Sequence, residues 1–183
     1  MILLGFAVLG LLAGLLTRGS LKSMSRYALT GLWLPIAAYV LKAGAACLLT
    51  PQRGAVVIAF VQYGLLFLFL ILNLRRPVWP LFALAGTLLN FLVIATNGGC
   101  MPVSPSTLGE AGTRLTQLAQ GQVYSYCLAN TTTRFAVLGD IIRVGSANRP
   151  LGFASIGDLL LGLGVGILCW HMTRKAQHPD GVQ

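Results

Sequence analysis

Carboxylates are scarce in this chain: Asp and Glu together number four in 183 residues, against 13 Lys and Arg and two His. The four are Glu110, Asp140, Asp158 and Asp180. That leaves little with which to build a catalytic or metal centre. His171 and His178 lie far from Glu110, Asp140 and Asp158 and make no triad. The four cysteines include no C-x-x-C pair and no Cys–His spacing suited to a metal, which argues against a zinc site or a thioredoxin-type motif. No metal or cofactor is expected.

Charge of either sign is also thin. Charged residues make up 9% and hydrophobic residues 56%, against roughly 25% charged in an ordinary soluble domain. A soluble fold cannot hide that much apolar surface. The net charge of +9 is scattered between the apolar runs and forms no stripe, so nucleic acid is not an expected partner. The lipid bilayer is.

Five apolar runs are long enough to matter, at about 2–17, 29–49, 55–74, 78–96 and 153–172. They predict an all-α, five-span transmembrane helical bundle over residues 1–176, with a disordered cytoplasmic tail at 177–183. Arg18, Lys22 and Arg26 follow the first run, Arg75 and Arg76 the third, and Arg174 and Lys175 the last, whereas the second connector carries only Arg53. The positive-inside rule then puts the N-terminus outside, the C-terminus in the cytoplasm and residues 97–152 outside. The first run lacks a basic region before it and reads as a retained span, not a cleaved signal. In the external segment, Ser106 to Gln120 predicts a short helix with Leu108, Leu115 and Leu118 on one side, and Phe135 to Val144 is a second apolar patch. Both are expected at the outer interface or dipping into the bundle mouth. Gly10 and Gly14, with Gly162 and Gly166, give small-xxx-small spacing, favouring close packing within the bundle over a dimer face.

The strongly polar residues inside the runs are Lys42, Gln62, Asn90 and Asp158. Each falls seven or eight residues from the outer end of its run, so all four sit roughly 10 to 12 Å below the outer surface at 1.5 Å per residue. Intramembrane ionisable groups usually face a bundle interior or a wet cavity. The layer is therefore a candidate outward-facing site in which Lys42 and Asp158 pair or share a ligand. A purely structural account competes with it. Lys42 snorkels to the headgroups, Ser155 and Asp158 form an S-x-x-D capping box, and Gln62 and Asn90 make interhelical hydrogen bonds worth roughly 0.6 kcal/mol each.

Asn97, Gly98, Gly99, Cys100, Met101 and Pro102 close the fourth run with a sharp turn, since two glycines allow positive φ and Pro102 forces its predecessor out of the helical region. As a phosphate cradle the sequence is weak, because these glycines end a helix and do not open one. Cys100 and Cys127 both fall in the external segment, where a bridge would close a loop of roughly 27 residues and contribute about 3 kcal/mol. Cys47, near the same surface, is a rival partner. Asp140 follows Gly139 in an apolar stretch, where capping a short helix or pairing with Arg134 or Arg143 is the favoured account.

Three segments, NGGCMPVS at 97–104, TTRFAVLGDII at 132–142 and FASIGDLLLGLG at 153–164, resemble those of a bacterial polytopic membrane family, domain-of-unknown-function family 5317. The resemblance implies a bacterial cytoplasmic-membrane protein and no particular activity. It emphasises Asn97, Gly98, Gly99, Met101 and Pro102, then Arg134, Gly139 and Asp140, then Ser155, Gly157 and Asp158. The family's pattern is often aromatic at position 100, so a Cys100–Cys127 bridge would be a local feature of this chain.

Together these readings favour a non-enzymatic membrane protein that binds or passes a small solute or ion at an outward-facing polar site, or a membrane subunit that meets a partner protein or a second copy. The alternatives are an outer-leaflet enzyme using Asp140 or Asp158, which lacks a nucleophile–base pair, and an extracytoplasmic thiol-disulfide protein.

Overall fold

The computed structural model describes residues 2–49, 54–108, 112–145 and 150–174. Arg53, Glu110, Arg149, Lys175 and the expected tail at 177–183 lie outside the described residues. The molecule is mostly helical. Its long helices are α1 (Ile2–Leu16), α3 (Trp33–Leu48), α4 (Ala55–Leu72), α5 (Trp79–Thr96) and α8 (Ile156–Thr173), with a single turn, α2 (Leu21–Met24), after the first. Between α5 and α8 lie β1 (Met101–Val103), α6 (Pro105–Leu108), α7 (Gly112–Ala119), β2 (Tyr126–Leu128), a 3-10 turn (Ala136–Leu138), β3 (Ile142–Gly145) and β4 (Pro150–Ala154).

Three helices, α4, α5 and α8, each of 18 residues, are long and apolar enough to cross a membrane. Five spans were expected. The helices at the first two runs, α1 with 15 residues and α3 with 16, fall short of that length, rising about 22 and 24 Å against a hydrocarbon core of roughly 30 Å. The second run loses its start because Asn73, 1% exposed, takes the backbone of Thr30 out of helical pairing. Its Oδ1 accepts from Thr30 N–H at 3.1 Å, and its Nδ2 donates to Thr30 O at 2.9 Å. Helix α3 then begins with Pro35 in its first turn, where a missing N–H costs nothing. The last run begins later than expected because Phe153 and Ala154 belong to β4.

The long helices pack in the spatial order α1, α8, α5, α4, α3. Glycine sets the two closest contacts. Gly10 meets the Gly166 backbone and Gly14 meets Thr173, so α1 and α8 lie parallel with no room for a Cβ between them. Gly86 meets Gly157, and a Cβ on Gly164 would come within 2.7 Å of Ala83 N, so α5 runs antiparallel to α8. Gly162 meets the Phe6 ring, so of the two small-xxx-small pairs only Gly10 and Gly166 touch directly, within one chain. Leu34, Phe69, Leu70, Trp79 and Ala83 form the core where α3, α4 and α5 converge. Elsewhere the helices turn large apolar residues outward, among them Leu9, Leu16, Val40, Leu48, Val57 and Leu81. A helix apolar on all faces belongs in a membrane or a large core.

The bundle has two unlike ends. Arg18, Lys22, Arg26, Arg75, Arg76 and Arg174 are all exposed at one of them. Arg76 Nη2 donates to Ala28 O at 2.7 Å and its guanidinium lies 5.1 Å from the Tyr27 ring centroid, tying the α2–α3 connector to the end of α4. The other end carries the segment after α5 as a lid. Strands were not expected there. β1 lies parallel to β2, and β3 pairs antiparallel with β4. The expected helix at 106–120 is α6 and α7, and the apolar patch at 135–144 is the 3-10 turn followed by β3. Val103, Leu108 and Leu118 give the lid a small core of its own, while Phe135, Val137 and Leu151 stay exposed.

The glycine contacts yield opposite expectations at two positions. Gly10→Ile wedges α1 off α8 and lowers stability by about 1–3 kcal/mol. Gly44→Ala, in α3 with nothing within 4 Å of its added Cβ, raises stability by up to about 1 kcal/mol. Thermal melts of the purified protein in detergent read both.

Candidate functional site

The site is built outward from the start of α8. Ser155 Oγ accepts from Asp158 N–H at 3.0 Å, and Asp158 Oδ2 accepts from Ser155 N–H at 3.1 Å, a capping box that satisfies two otherwise orphaned donors. The same two side chains reach α5. Asn90 Nδ2 donates to Asp158 Oδ1 at 2.7 Å, and Ser155 Oγ donates to Asn90 Oδ1 at 2.8 Å. Gly157 leaves no room for a Cβ beside Asn90, and this absence lets the two helices close over the network. Capping box and interhelical hydrogen bond are one structure.

Over this network the lid hangs Asp140. Its N–H donates to Pro102 O at 2.8 Å, and its carbonyl accepts from Ser104 N–H at 3.1 Å, in a parallel bridge with Val103. Gly139 fits because an added Cβ would come within 2.5 Å of Pro102 O. The Asp140 side chain is 4% exposed and its Oδ1 has no hydrogen-bond partner. The expected pairing with Arg134 or Arg143 does not form. Arg143 Nε donates to Thr107 O at 2.7 Å and Nη2 to Ser106 O at 3.2 Å, serving the free carbonyls of α6, while Arg134 is exposed. Nor does Asp140 cap a helix; the residue after the 3-10 turn is Gly139.

Asp140 and Asp158 line the same half-open pocket of about 540 Å³, together with Tyr126, Gln117, Leu118 and Phe153. Burial, reinforced by the Asp158 charge and opposed by Lys42, pushes the Asp140 carboxyl up to about 7. Burial and the two carboxylates push Tyr126 up to about 12, so it remains a neutral phenol.

Lys42 stands across Tyr126 on α3, with its ammonium 5.7 Å from the ring centroid. It lies within electrostatic range of Asp140 and Asp158 but contacts neither. Lys42 and Gln62 line a separate recess of about 10 Å³ with Tyr124 and Ser125, whose hydroxyls are buried without partners. That recess has room for about one water. The four-residue layer is therefore divided: Asp158 faces the large pocket, Asn90 lies buried behind it, and Lys42 and Gln62 face the small recess.

The turn after α5 holds the lid. Asn97 Nδ2 donates to Val93 O at 2.7 Å and Arg134 O at 2.8 Å, and Arg134 N–H donates to Asn97 Oδ1 at 3.0 Å. Gly98 and Gly99 adopt φ of 69° and 81°, and a Cβ on Gly99 would come within 2.5 Å of Val56 N. Met101 packs with Ala59, Tyr63, Val93 and Ile94, and Pro102 is buried. Cys100 and Cys127 are separate thiols within hydrogen-bond reach; the Cys127 contact draws Cys100 below its usual value and raises Cys127. Cys47 is exposed on α3.

Sequence reasoning missed Tyr63 and Tyr126. A signal for Tyr126 was present in Val123-Tyr124-Ser125-Tyr126-Cys127-Leu128, rich in β-formers, which reads as a strand.

Three helices long and apolar enough to cross a membrane, with a small mixed lid over two carboxylates at one end, are compatible with a membrane protein that carries a polar end-site. The profile of a family of unknown function, DUF5317, matches residues 21–170, from α2 into α8, and the chain belongs to that family. No curated protein and no solved structure matches it.

Asp140 makes stability depend on pH. Its value of about 7 in the fold stands above the ordinary 3.8, so the folded protein holds a proton the unfolded chain releases. That stabilisation is complete below about pH 4 and is lost as pH rises through 7. The melting temperature in detergent is expected to be higher at pH 5.5 than at pH 8, and Asp140→Asn to remove this difference. An unchanged pH profile in the variant would exclude Asp140 as its source.

Proposed function

We propose that the chain crosses the membrane five times, N-terminus outside, and binds or passes a small solute at the pocket beneath its outer lid. The observation that carries this reading is that Asp140 and Asp158 line one half-open pocket of about 540 Å³, within the size range of small-molecule sites, at the end of the bundle opposite Arg18, Arg26, Arg75, Arg76 and Arg174. A buried carboxylate oxygen without a partner costs stability and is retained where a ligand or solvent satisfies it. The five-span reading rests on two points: α1 and α3 lie against α8 and α4, and a bilayer accommodates a short helix by thinning. The orientation rests on Arg18, Lys22, Arg26, Arg75, Arg76 and Arg174, which belong on the cytoplasmic side. The nearby thiols of Cys100 and Cys127 support a bridge that pins the lid to the end of α5.

Phe153→Cys in a cysteine-free background tests pocket and orientation together. A membrane-impermeant maleimide added to intact cells should label it, and should leave Arg26→Cys unlabelled until the membrane is permeabilised. Labelling of Arg26→Cys from outside would reverse the orientation; failure to label Phe153→Cys from either side would close the pocket. For the bridge, intact mass of the protein extracted under thiol blocking should be about 2 Da lower than after reduction, and Cys100→Ser should abolish the difference.

A further inference from the structure

Resting on the pocket proposed above, we infer that it takes an organic cation, an ammonium group carried on an apolar body, and that binding displaces a proton from Asp140. The walls decide the charge. Two carboxylates line the pocket and, among the residues whose side chains are described (Arg114 and Arg149 are not), no Lys or Arg does. Asp158 already accepts from Asn90 and from its own cap, whereas Asp140 Oδ1 has nothing. A cationic group in the pocket neutralises the Asp140 carboxylate; an anion would meet two like charges in a buried site.

The remaining walls decide the body. Leu118 and Phe153 supply apolar surface, and Tyr126 and Phe153 offer aromatic faces, which attract ammonium groups within about 6 Å of a ring centroid. The exposed Leu3 and Leu151 also line the pocket, so the body has an apolar way in. An inorganic cation would leave this apolar wall unused.

Among the described side chains, the charged and titratable groups around Asp140 are Asp158 on α8, Lys42 on α3, Tyr126 on β2 and Tyr63 on α4. Lys42 is held over Tyr126 and lines the separate recess, so it offsets one carboxylate charge at a distance. The second charge is neutralised by a proton on Asp140 when the pocket is empty and by the ammonium when it is filled. The exchange balances: one cation enters and one proton leaves. With Asp140 near 7, it operates around neutral pH.

The protein in phosphatidylglycerol nanodiscs, titrated calorimetrically with phenethylammonium and with neutral phenethyl alcohol, tests the inference. The ammonium should bind at least about tenfold more tightly than the alcohol, and Asp140→Asn should remove most of that preference. Affinity should rise about tenfold from pH 5.5 to 6.5 and level off above pH 7.5. Heats in two buffers of different ionisation enthalpy should report one proton released per cation at pH 6. Equal binding of the alcohol, or ammonium binding that survives in Asp140→Asn with its pH dependence intact, overturns it. No ammonium binding by a protein whose Phe153→Cys variant is labelled from outside overturns the cation assignment and leaves the pocket standing. Competition by phosphatidylethanolamine in the nanodisc identifies the ammonium source as a lipid headgroup; its absence identifies a free solute, and either supports the chemistry.

Discussion

The hydrogen bonds that join Asn90 to Ser155 and Asp158 fix where the last helix starts, and most of the molecule takes its register from them. A capping box alone would set the first turn of α8 without placing it against anything. Asn90 makes the same two side chains an interhelical clamp, and it does so from the middle of an apolar helix, where a polar amide without partners costs several kcal/mol. Gly86 and Gly157 admit the close approach that the clamp requires. With α8 set against α5, its far face presents Gly162 and Gly166 to α1, and its start presents Asp158 to the underside of the lid.

The lid depends on the same logic in a different material. Its backbone cannot pair with helices, so it pairs with itself: β1 with β2, Val103 with Asp140, β3 with β4. These pairings leave Asp140 where its main chain is satisfied and its side chain is not. The polar end is thus divided into a close-packed structural part, Asn90 with Ser155, and an open part, Asp140 with Asp158.

Legibility followed the range of the interactions. The S-x-x-D cap, the glycine turn at Gly98 and Gly99 and the glycine pairs of the first and last helices are local patterns, and each is present as read. The common depth of Asn90 and Asp158 was legible because helical rise converts sequence position to height. It could not tell Lys42 and Gln62 from the other two, since depth carries no information about which way a side chain faces around its helix. The pairing of β1 with β2 was not legible, because Met101 pairs with Tyr126 in parallel across a long connection and no local pattern announces a partner that distant. Asp140 was misjudged because its nearest charges in sequence turn elsewhere: Arg143 serves Thr107 O and Ser106 O, and Arg134 is exposed. The length of α3 was misjudged because Asn73 acts on Thr30 from another helix.

The packing order has a consequence for biogenesis. Helix α1, first among the described helices, lies parallel to α8, the last, and both glycine faces of that contact stay bare until α8 has emerged from the ribosome. On the five-span arrangement proposed above, α1 has lipid where its partner will be throughout synthesis. Arrival of α8 is therefore the event that closes the bundle, and because the clamp to Asn90 sits at the leading end of α8, the lid threaded just before it must already be folded back for the clamp to form. Assembly of the bundle and closure of the pocket are, on this geometry, a single late step.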